Sequence, residues 1–233
     1  RLPGGHRGSG ADGALPRHNL PQQLTTFVGR ERELAQLQQR LQVGQSRLIT
    51  LAGPGGIGKT RLALQVALEN LHLFAQGAYF VPLAGVQSAE AIPAAIMDAL
   101  GVSFVAGNTA PRQQLFTLLA KQQLLLIIDN LEHLMEGVTF LLDLLHAAPT
   151  VTLLVTTRQQ LNCQAEDLFA LHGLATPTHV DVDHTPGHIS QYDAVRLFCD
   201  RAYRISKEFK LNEANVYDVV KICQAVEGVP LAL

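Results

Sequence analysis

The sequence alternates short, wholly apolar segments with longer segments in which apolar residues recur every three or four positions. The short segments are typical of strands buried on both faces, and the longer ones are typical of amphipathic helices. Strands are predicted at residues 48–52, 78–83, 124–128, 151–155 and 168–171. Helices are predicted at residues 31–41, 59–73, 89–100, 112–121 and 131–146. This alternation predicts a five-stranded parallel sheet covered by helices on both faces.

The two ends of the chain depart from this alternation. Residues 1–18 are rich in Gly, Pro, Arg and His and poor in apolar side chains, which predicts a flexible linker or tail. After about residue 188 the alternation stops and two helices are predicted, the second of which Gly228 is placed to end. We therefore predict an α/β domain over residues 19–187 and a small helical lid subdomain over residues 188–233.

Composition narrows the class of protein. The 233 residues are 47% hydrophobic and 16% charged, with a formal net charge of -2, as in a globular protein of one or two domains. This charge gives no support for direct nucleic-acid binding, which relies on basic patches. No apolar run reaches the roughly 18 residues of a membrane helix, and no signal peptide is recognised. The cysteines at 163, 199 and 223 form no ligand pair or disulfide framework, so we expect a cytoplasmic protein.

A phosphate-binding motif follows the first predicted strand. Residues 53–60 read Gly-Pro-Gly-Gly-Ile-Gly-Lys-Thr and match GxxxxGK[ST] at every fixed position. Glycines let backbone N–H groups approach phosphates, and the helix that begins here directs its positive end at the same anions. Lys59 would neutralise phosphate charge, and Thr60 would offer its hydroxyl to Mg²⁺. A Gly-rich turn that matches by chance is disfavoured by the strand before it and the helix after it. The predicted nucleotide-binding residues of this segment are Pro54, Gly55, Gly56, Ile57, Gly58, Lys59, Thr60 and Arg61.

An apolar strand predicted at residues 124–128 ends in the carboxylate of Asp129. In P-loop proteins a carboxylate at this place faces the phosphate loop and holds Mg²⁺, usually through water. Alone this pattern is a weak signal, but it becomes a strong one at this distance after a phosphate loop. Thr60 and Asp129 are therefore the predicted metal-binding residues.

The residues that would assist hydrolysis are less clearly marked. Many ATPases carry a second acid at position 130 to orient water, but here it is Asn130, which cannot act as a base. Glu132 could reach the site from the loop, or it could be a solvated residue where a carboxylate suits the start of the next helix. Arg158 follows the strand at 151–155, where a cation would lie beside the γ-phosphate. A surface arginine that caps the strand is the alternative.

Taken in order, these motifs resemble the STAND class of signal-transduction ATPases, related to apoptotic ATPases and plant NB-ARC proteins. The sequence looks most like bacterial members attached to transcriptional regulators. The amino-terminal motif of the class is matched by Phe27-Val28-Gly29-Arg30-Glu31. Its sensor motif is matched by Thr156-Thr157-Arg158, and its Gly-x-Pro motif by Gly228-Val229-Pro230-Leu231-Ala232. The resemblance spans roughly residues 20–233, and a generic P-loop ATPase would not carry the last motif.

The resemblance implies roles for individual residues. Backbone near Val28 would contact adenine, Arg158 would read the γ-phosphate, and Pro230 would pack on the nucleotide from the lid. The predicted residues of the amino-terminal motif are Phe27, Val28, Gly29 and Arg30. The predicted catalytic residues are Lys59, Asp129, Glu132 and Arg158. An ASCE-type P-loop NTPase fold is also implied, with the sensor strand between the strands that precede the phosphate loop and Asp129.

The resemblance further implies a switch with ATP/ADP and Mg²⁺ as cofactors. ADP would hold lid and core together, ATP would permit self-association, and hydrolysis would be slow. We expect the chain to be a fragment, with effector and sensor domains and a winged-helix domain outside it. A constitutive AAA+-type motor or loader is one alternative, although no arginine finger is evident. A scaffold with a purely structural nucleotide is the other.

Histidines and aspartates cluster between the two predicted units. They are His179, Asp181, Asp183, His184 and His188. Such side chains can bind metal, but the spacing fits no strong metal signature. A mobile polar linker is the favoured interpretation.

Overall fold

Five parallel strands form the centre of the computed structural model, which describes residues 18–105, 109–178 and 185–233. The strands are β1 (Leu48–Ala52), β2 (Ala78–Pro82), β3 (Leu125–Asp129), β4 (Thr152–Thr157) and β5 (Glu166–Ala170). Their order in the sheet is β2-β3-β4-β1-β5, and every pairing is parallel. The sensor strand β4 thus lies between β1 and β3, which confirms the ASCE order.

Five α-helices accompany the described part of the sheet, and three form the carboxyl-terminal helical unit. The first group is α1 (Glu31–Val43), α2 (Lys59–Glu69), α3 (Ile92–Leu100), α4 (Pro111–Leu119) and α5 (Val138–Ala147). The second group is α6 (Pro186–Ile189), α7 (Asp193–Ile205) and α8 (Val216–Ala225). No helix in either group is long and apolar enough to cross a membrane.

Alternate residues of the central strands supply two apolar layers, one on each face of the sheet. In β3, Leu126 and Ile128 belong to the layer with α3, α4 and α5. Leu125 and Ile127 belong to the layer with α1 and α2. Because side chains alternate along a strand, a strand that is buried on both faces is apolar at most positions and not only at alternate ones. This explains why the 124–128 segment shows no polar alternation.

The prediction of one helix over residues 131–146 is wrong in its first half. Residues Leu131–His133 and Met135–Gly137 form two 3₁₀ turns, and α5 begins only at Val138. Asn130 has φ 67°, a left-handed conformation that asparagine tolerates better than most residues and that prevents a helix from starting there. The two turns bury Leu131 and Leu134, so an apolar spacing that resembles a helix is satisfied without one.

The helix predicted over residues 59–73 is also shorter than expected. It ends at Glu69, where the side chain of Asn70 donates to the carbonyl of Val66 at 2.8 Å. A 3₁₀ turn at Leu71–Leu73 follows. A side chain that bonds the last helical carbonyls competes with continuation of the helix.

The carboxyl-terminal helices have an apolar core of their own. It includes Val195 of α7 and Val219 and Cys223 of α8. Leu174, which follows β5, belongs to this cluster and not to the sheet layers. Its N–H donates to the carbonyl of Gly228 at 2.8 Å. The chain therefore enters the helical unit's packing before the predicted boundary at residue 188, and that boundary stays a prediction.

Candidate functional site

The largest cluster of predicted site residues lines a cleft at the carboxyl ends of β1, β3 and β4. The cleft has a volume of about 380 Å³. One wall comes from the sheet and its loops, and the other comes from the helical unit. The residues that line it are Gly55, Gly56, Gly58, Lys59, Thr60, Arg61, Asn130, Glu132, Thr156, Arg158, Arg201, Pro230 and Leu231. In parallel α/β sheets, ligands bind outside this edge.

Two glycines of the phosphate loop have left-handed backbone conformations. Gly56 has φ 75° and Gly58 has φ 98°, values at which a side chain would be strained. α2 begins at Lys59, and its first turn carries no acidic residue that would offset its positive end. The Lys59 ammonium donates to the carbonyls of Gly53 (2.8 Å) and Pro54 (3.0 Å). Partial burial lowers the pKa of Lys59, while the nearby carboxylates of Glu132 and Asp129 oppose that shift.

The two predicted metal-binding residues meet at the end of β3. The Thr60 hydroxyl donates to Asp129 Oδ1 at 2.6 Å, and the Thr156 hydroxyl donates to the same oxygen at 2.7 Å. Thr156 also accepts the N–H of Asn130 at 3.0 Å. Mg²⁺ prefers oxygen ligands from carboxylates and hydroxyls. The donor set therefore fits this ion, to which Thr60 and Asp129 would each offer an oxygen.

Glu132 lies in the cleft and forms an ion pair with the predicted sensor residue. Its Oε1 is 3.0 Å from Arg158 Nε. With its amide turned to donate, Asn130 Nδ2 is 2.9 Å from the same oxygen. The Glu132 side chain is 19% exposed and that of Arg158 is 67% exposed. The carboxylate is therefore held by two neighbours, whereas the arginine is tethered at one end and can move.

A second, smaller pocket adjoins the cleft. Its volume is about 60 Å³. Its lining brings the amino-terminal motif and the Gly-x-Pro motif together and comprises Thr26, Phe27, Val28, Arg30, Ile57, Gly58, Arg61, Leu62, Leu174, Leu197, Arg201 and Pro230. Arg61 lies on one side of this pocket, where its guanidinium donates to the carbonyls of Thr25 (2.7 Å) and Thr26 (2.6 Å). The two motifs are about 200 residues apart in sequence, yet they face one another.

Gly29 and Arg30 do not line the phosphate cleft and instead contact other segments of the protein. Arg30 is 5% exposed, and its guanidinium donates to the carbonyls of Ile57 (3.1 Å) and His172 (2.6 Å). Gly29 has φ 75°, and a Cβ at this position would lie 2.5 Å from Asp193 Cγ. The Arg30 N–H donates to Asp193 Oδ2 at 3.2 Å. The amino-terminal motif therefore supports the phosphate loop on one side and contacts the start of α7 on the other.

The helical unit contacts the phosphate loop directly. The Leu231 N–H donates to the carbonyl of Gly56 at 3.1 Å. Pro230 lies 3.9 Å from the position of a Cβ at Gly58, and its carbonyl accepts from Arg201 at 2.7 Å. Leu231 and Arg201 also line the cleft but were not among the predicted site residues. Arg201 is one of several cations on α7, and nothing in its spacing separates it from Arg204.

The cluster of histidines and aspartates, predicted to be a mobile polar linker, lies mostly outside the described residues, which omit 179–184. His188 is described, and its ring contacts Tyr192 edge-on with the centroids 6.1 Å apart. Within the described ranges, no group of three or more His, Cys, Asp or Glu side chains could hold a metal ion.

Comparison with known proteins identifies the same region. Residues 26–156 match the family model described as an AAA ATPase domain. An uncharacterised protein of Mycobacterium tuberculosis (strain ATCC 25618 / H37Rv) is 32% identical over 218 residues, which are 93% of this chain and 51% of that protein. A second protein of that strain, provisionally named an HTH-type transcriptional regulator, is 31% identical over 195 residues, 83% of this chain and 20% of its own. The chain thus spans about half or less of these relatives.

A solved structure shares the fold. It is a STAND protein with a tetratricopeptide repeat sensor from Pyrococcus horikoshii. The TM-score is 0.58 at 19% identity, and the match covers 93% of this chain and 30% of that one. At this identity the similarity shows the α/β P-loop fold alone.

Proposed function

Because this chain belongs to the AAA ATPase domain family, we propose that it is the ATP/ADP-binding switch module of a STAND-type signalling protein. In the ADP state the helical lid is closed on the core. In the ATP state the lid is repositioned and the protein can assemble. Hydrolysis is Mg²⁺-dependent and slow, and it returns the switch to the ADP state.

One observation carries this proposal: the lid is bonded to the phosphate loop itself. The Leu231 N–H reaches the Gly56 carbonyl at 3.1 Å, and the Leu231 side chain lies against Gly56, where an added Cβ would come within 2.6 Å of it. A phosphate loop changes its surroundings when phosphates bind. A lid fixed to the loop backbone must respond to that change, whereas a lid that contacts only the sheet would not.

The base would occupy the smaller pocket, between Val28 and Pro230. This pocket, of about 60 Å³, is lined by residues of both the core and the lid. A base held there would contact both units, so we expect it to leave only when the lid and the amino-terminal motif separate. This would couple nucleotide exchange to lid movement, as a switch with a slowly exchanging nucleotide requires.

The phosphate side supplies the chemistry. Lys59 and the loop N–H groups would hold the β- and γ-phosphates, and Thr60 and Asp129 would hold Mg²⁺. When bound, the ion neutralises charge on the phosphate oxygens during transfer. Glu132 would orient the attacking water, but it is ion-paired with Arg158. Arg158 is bonded to Glu132 through Nε, so the carboxylate and a γ-phosphate would share one arginine, and we expect this competition to slow turnover.

Partners beyond the nucleotide would lie outside this chain. Its relatives are longer, and the name of one of them points to transcriptional regulation. We expect effector and sensor domains elsewhere in the complete protein, nucleotide-dependent self-association, and no direct nucleic-acid contact by this module.

The first test is to identify the nucleotide that co-purifies with the protein. The complete protein is purified without added nucleotide and denatured, and the released compounds are separated by chromatography. Near-stoichiometric ADP is expected. An empty site with rapid exchange and turnover near ~10 per second that rises with protein concentration would instead indicate a motor or loader.

The structural-scaffold alternative needs a different test. If the nucleotide only stabilises the fold, Lys59→Ala will leave partner binding and self-association unchanged in a protein that remains folded. The switch requires both to change with the nucleotide, because a ligand shifts an equilibrium only by its differential affinity for the two states.

A further inference from the structure

Four residues line both the phosphate cleft and the smaller pocket, and they mark the junction between the two. They are Gly58, Arg61, Arg201 and Pro230. Gly58 and Arg61 belong to the core, and Arg201 and Pro230 belong to the lid. Lys59 and Arg158 line the phosphate cleft but not the smaller pocket, and Val28 lines the smaller pocket but not the cleft. The junction therefore lies between the sites expected for the base and for the terminal phosphates.

Two cations meet at this junction from opposite sides without a bonded carboxylate among the described residues. Arg61 donates to the backbone carbonyls of Thr25 and Thr26, and Arg201 donates to the carbonyl of Pro230 at 2.7 Å. The nearest acid on α7, Asp200, is ion-paired with Arg204 at 2.9 Å. Burial lowers the pKa of Arg61, the nearby charges of Arg201 and Arg204 lower it further, and Asp200 opposes the shift. The lid and the core thus each place a cation at the junction.

We propose that Arg61 and Arg201 form a two-sided subsite for the α-phosphate of the nucleotide, which neutralises both cations and holds the lid on the core. This inference rests on the proposed nucleotide-binding function. The α-phosphate is the one attached to the nucleoside, so a group between base pocket and terminal phosphates is placed to meet it. Arginine suits this role because its donors fit phosphate oxygens at fixed geometry.

The position of Arg201 determines which nucleotides it can distinguish from one another. AMP, ADP and ATP all carry an α-phosphate, so Arg201 would strengthen binding of all three by the same factor. Arg158 lines the phosphate cleft but not the smaller pocket, and we expect only a triphosphate to reach it. The lid arginine therefore supplies closure for any nucleotide, and the sensor arginine supplies discrimination.

The test compares Arg201→Gln, Arg201→Lys and Arg204→Gln by calorimetric titration with AMP, ADP and ATP. Arg201→Gln keeps a donor for the Pro230 carbonyl but loses the charge. We expect it to weaken all three nucleotides alike, by roughly 10- to 100-fold. Arg201→Lys should retain most of the affinity. Arg204→Gln is the matched control on the same helix, and we expect a change within about two-fold, because its partner Asp200 already neutralises it.

The outcomes separate the inference from the function on which it rests. A loss confined to ATP would show that Arg201 reads the γ-phosphate, and wild-type affinity in Arg201→Gln would show that it only holds Pro230. Either overturns the inference. Failure of the folded wild-type protein to bind any of the three nucleotides overturns the proposed function as well.

A second measurement does not depend on how the variants fold. In the wild-type protein, AMP should bind at least about ten-fold more tightly than adenosine, and this advantage should shrink as salt is added. AMP should also slow hydrogen exchange at the Leu231 amide, which bonds to Gly56 only while the lid is closed. Equal binding of AMP and adenosine would overturn the inference.

Discussion

The two walls of the nucleotide cleft are built from different kinds of contact. On the core wall, Thr60, Asp129 and Thr156 form a connected set of hydrogen bonds between side chains, at 2.6 and 2.7 Å. On the lid wall, the hydrogen bond to the loop comes from the backbone of Leu231, a residue that is 76% exposed. The core wall is therefore preorganised, whereas the lid wall meets the loop through one backbone hydrogen bond and the contacts of Pro230 and Leu231 with its glycines.

The contacts between lid and core at the start of α7 follow the same pattern. Asp193 accepts one backbone N–H from Arg30 at 3.2 Å, and Arg196 pairs with Glu31 at 3.1 Å in a bridge open to solvent. Exposed ion pairs of this kind contribute at most about 1 kcal/mol. The difference between the walls is the one that the proposed switch requires, a fixed phosphate site on the core and a lid attached by weaker contacts.

Removing Lys59 should have the largest effect on the core wall. Lys59→Ala deletes the ammonium that now rests on the loop carbonyls and that would turn to the phosphates. We expect ADP and ATP affinity to fall by at least about 100-fold, since several charge-assisted hydrogen bonds are lost together. Calorimetric titration measures the loss of affinity. Lys221→Ala, at an exposed position of α8, is the control. Equal affinity in both variants would place nucleotide binding elsewhere.

Cys223 offers a way to detect opening of the lid independently of the core. Burial in the lid core raises the pKa of its thiol to about 11. An exposed thiol has a pKa of roughly 8.5. At pH 8 the thiolate fraction of such a thiol is on the order of 100-fold larger than that of the buried Cys223. We expect a disulfide reagent to label Cys223 at least about 100-fold more slowly in the folded protein than in urea. ADP should slow it further, and labelling at the rate of the unfolded chain would contradict a packed lid.

The raised pKa of this thiol also predicts how the free energy of unfolding changes with pH. Its folded pKa lies above the ordinary value, so the native state disfavours the thiolate. The corresponding stability is fully present below about pH 8.5 and is lost as the pH rises towards 11. Unfolding of the lid in this pH range, while the sheet stays folded, would show that the two units differ in stability.

Sequence reasoning identified the core wall because its signals are local. A Gly-rich loop between a strand and a helix, and an acid after an apolar strand, each require neighbours within a few residues. The prediction failed at residues 131–137, where two 3₁₀ turns give the same apolar spacing as a helix. Only the left-handed backbone at Asn130 distinguishes them, and sequence spacing does not report backbone angles.

The lid wall could not be predicted in the same way. Pro230 was found only through resemblance to a family motif. Arg201 and Leu231 reach the cleft through contacts between segments that are far apart in sequence, such as the bond between the Leu174 N–H and the Gly228 carbonyl, and no periodicity encodes such contacts. The boundary at 187/188 illustrates this, since Leu174 already packs with α7 and α8.

Arg158 and Glu132 allow the competition inferred for hydrolysis to be tested. Arg158→Ala removes the ion pair and the group that would read the γ-phosphate. We expect ATP affinity to fall about ten-fold while ADP affinity is unchanged. Glu132→Gln should leave both affinities near the wild-type value and reduce single-turnover hydrolysis by about 10- to 100-fold. An equal loss of ADP and ATP affinity in Arg158→Ala would remove its discriminating role.

Two buried threonines on neighbouring strands provide the smallest and best-matched comparison. Thr156 bridges Asp129 and the Asn130 N–H, so Thr156→Val leaves a backbone donor without its partner. We expect the free energy of unfolding to fall by about 1–2 kcal/mol. Thr50, on β1 beside β4, is equally buried, but its hydroxyl has no hydrogen-bond partner among the described residues. Thr50→Val should therefore be neutral or stabilise the protein by up to about 1 kcal/mol, because an unbonded buried hydroxyl costs free energy. Urea titration measures both changes. Equal destabilisation would show that loss of the threonine shape sets the effect, and that the hydrogen-bonded set at Asp129 does not make the core wall the more rigid of the two.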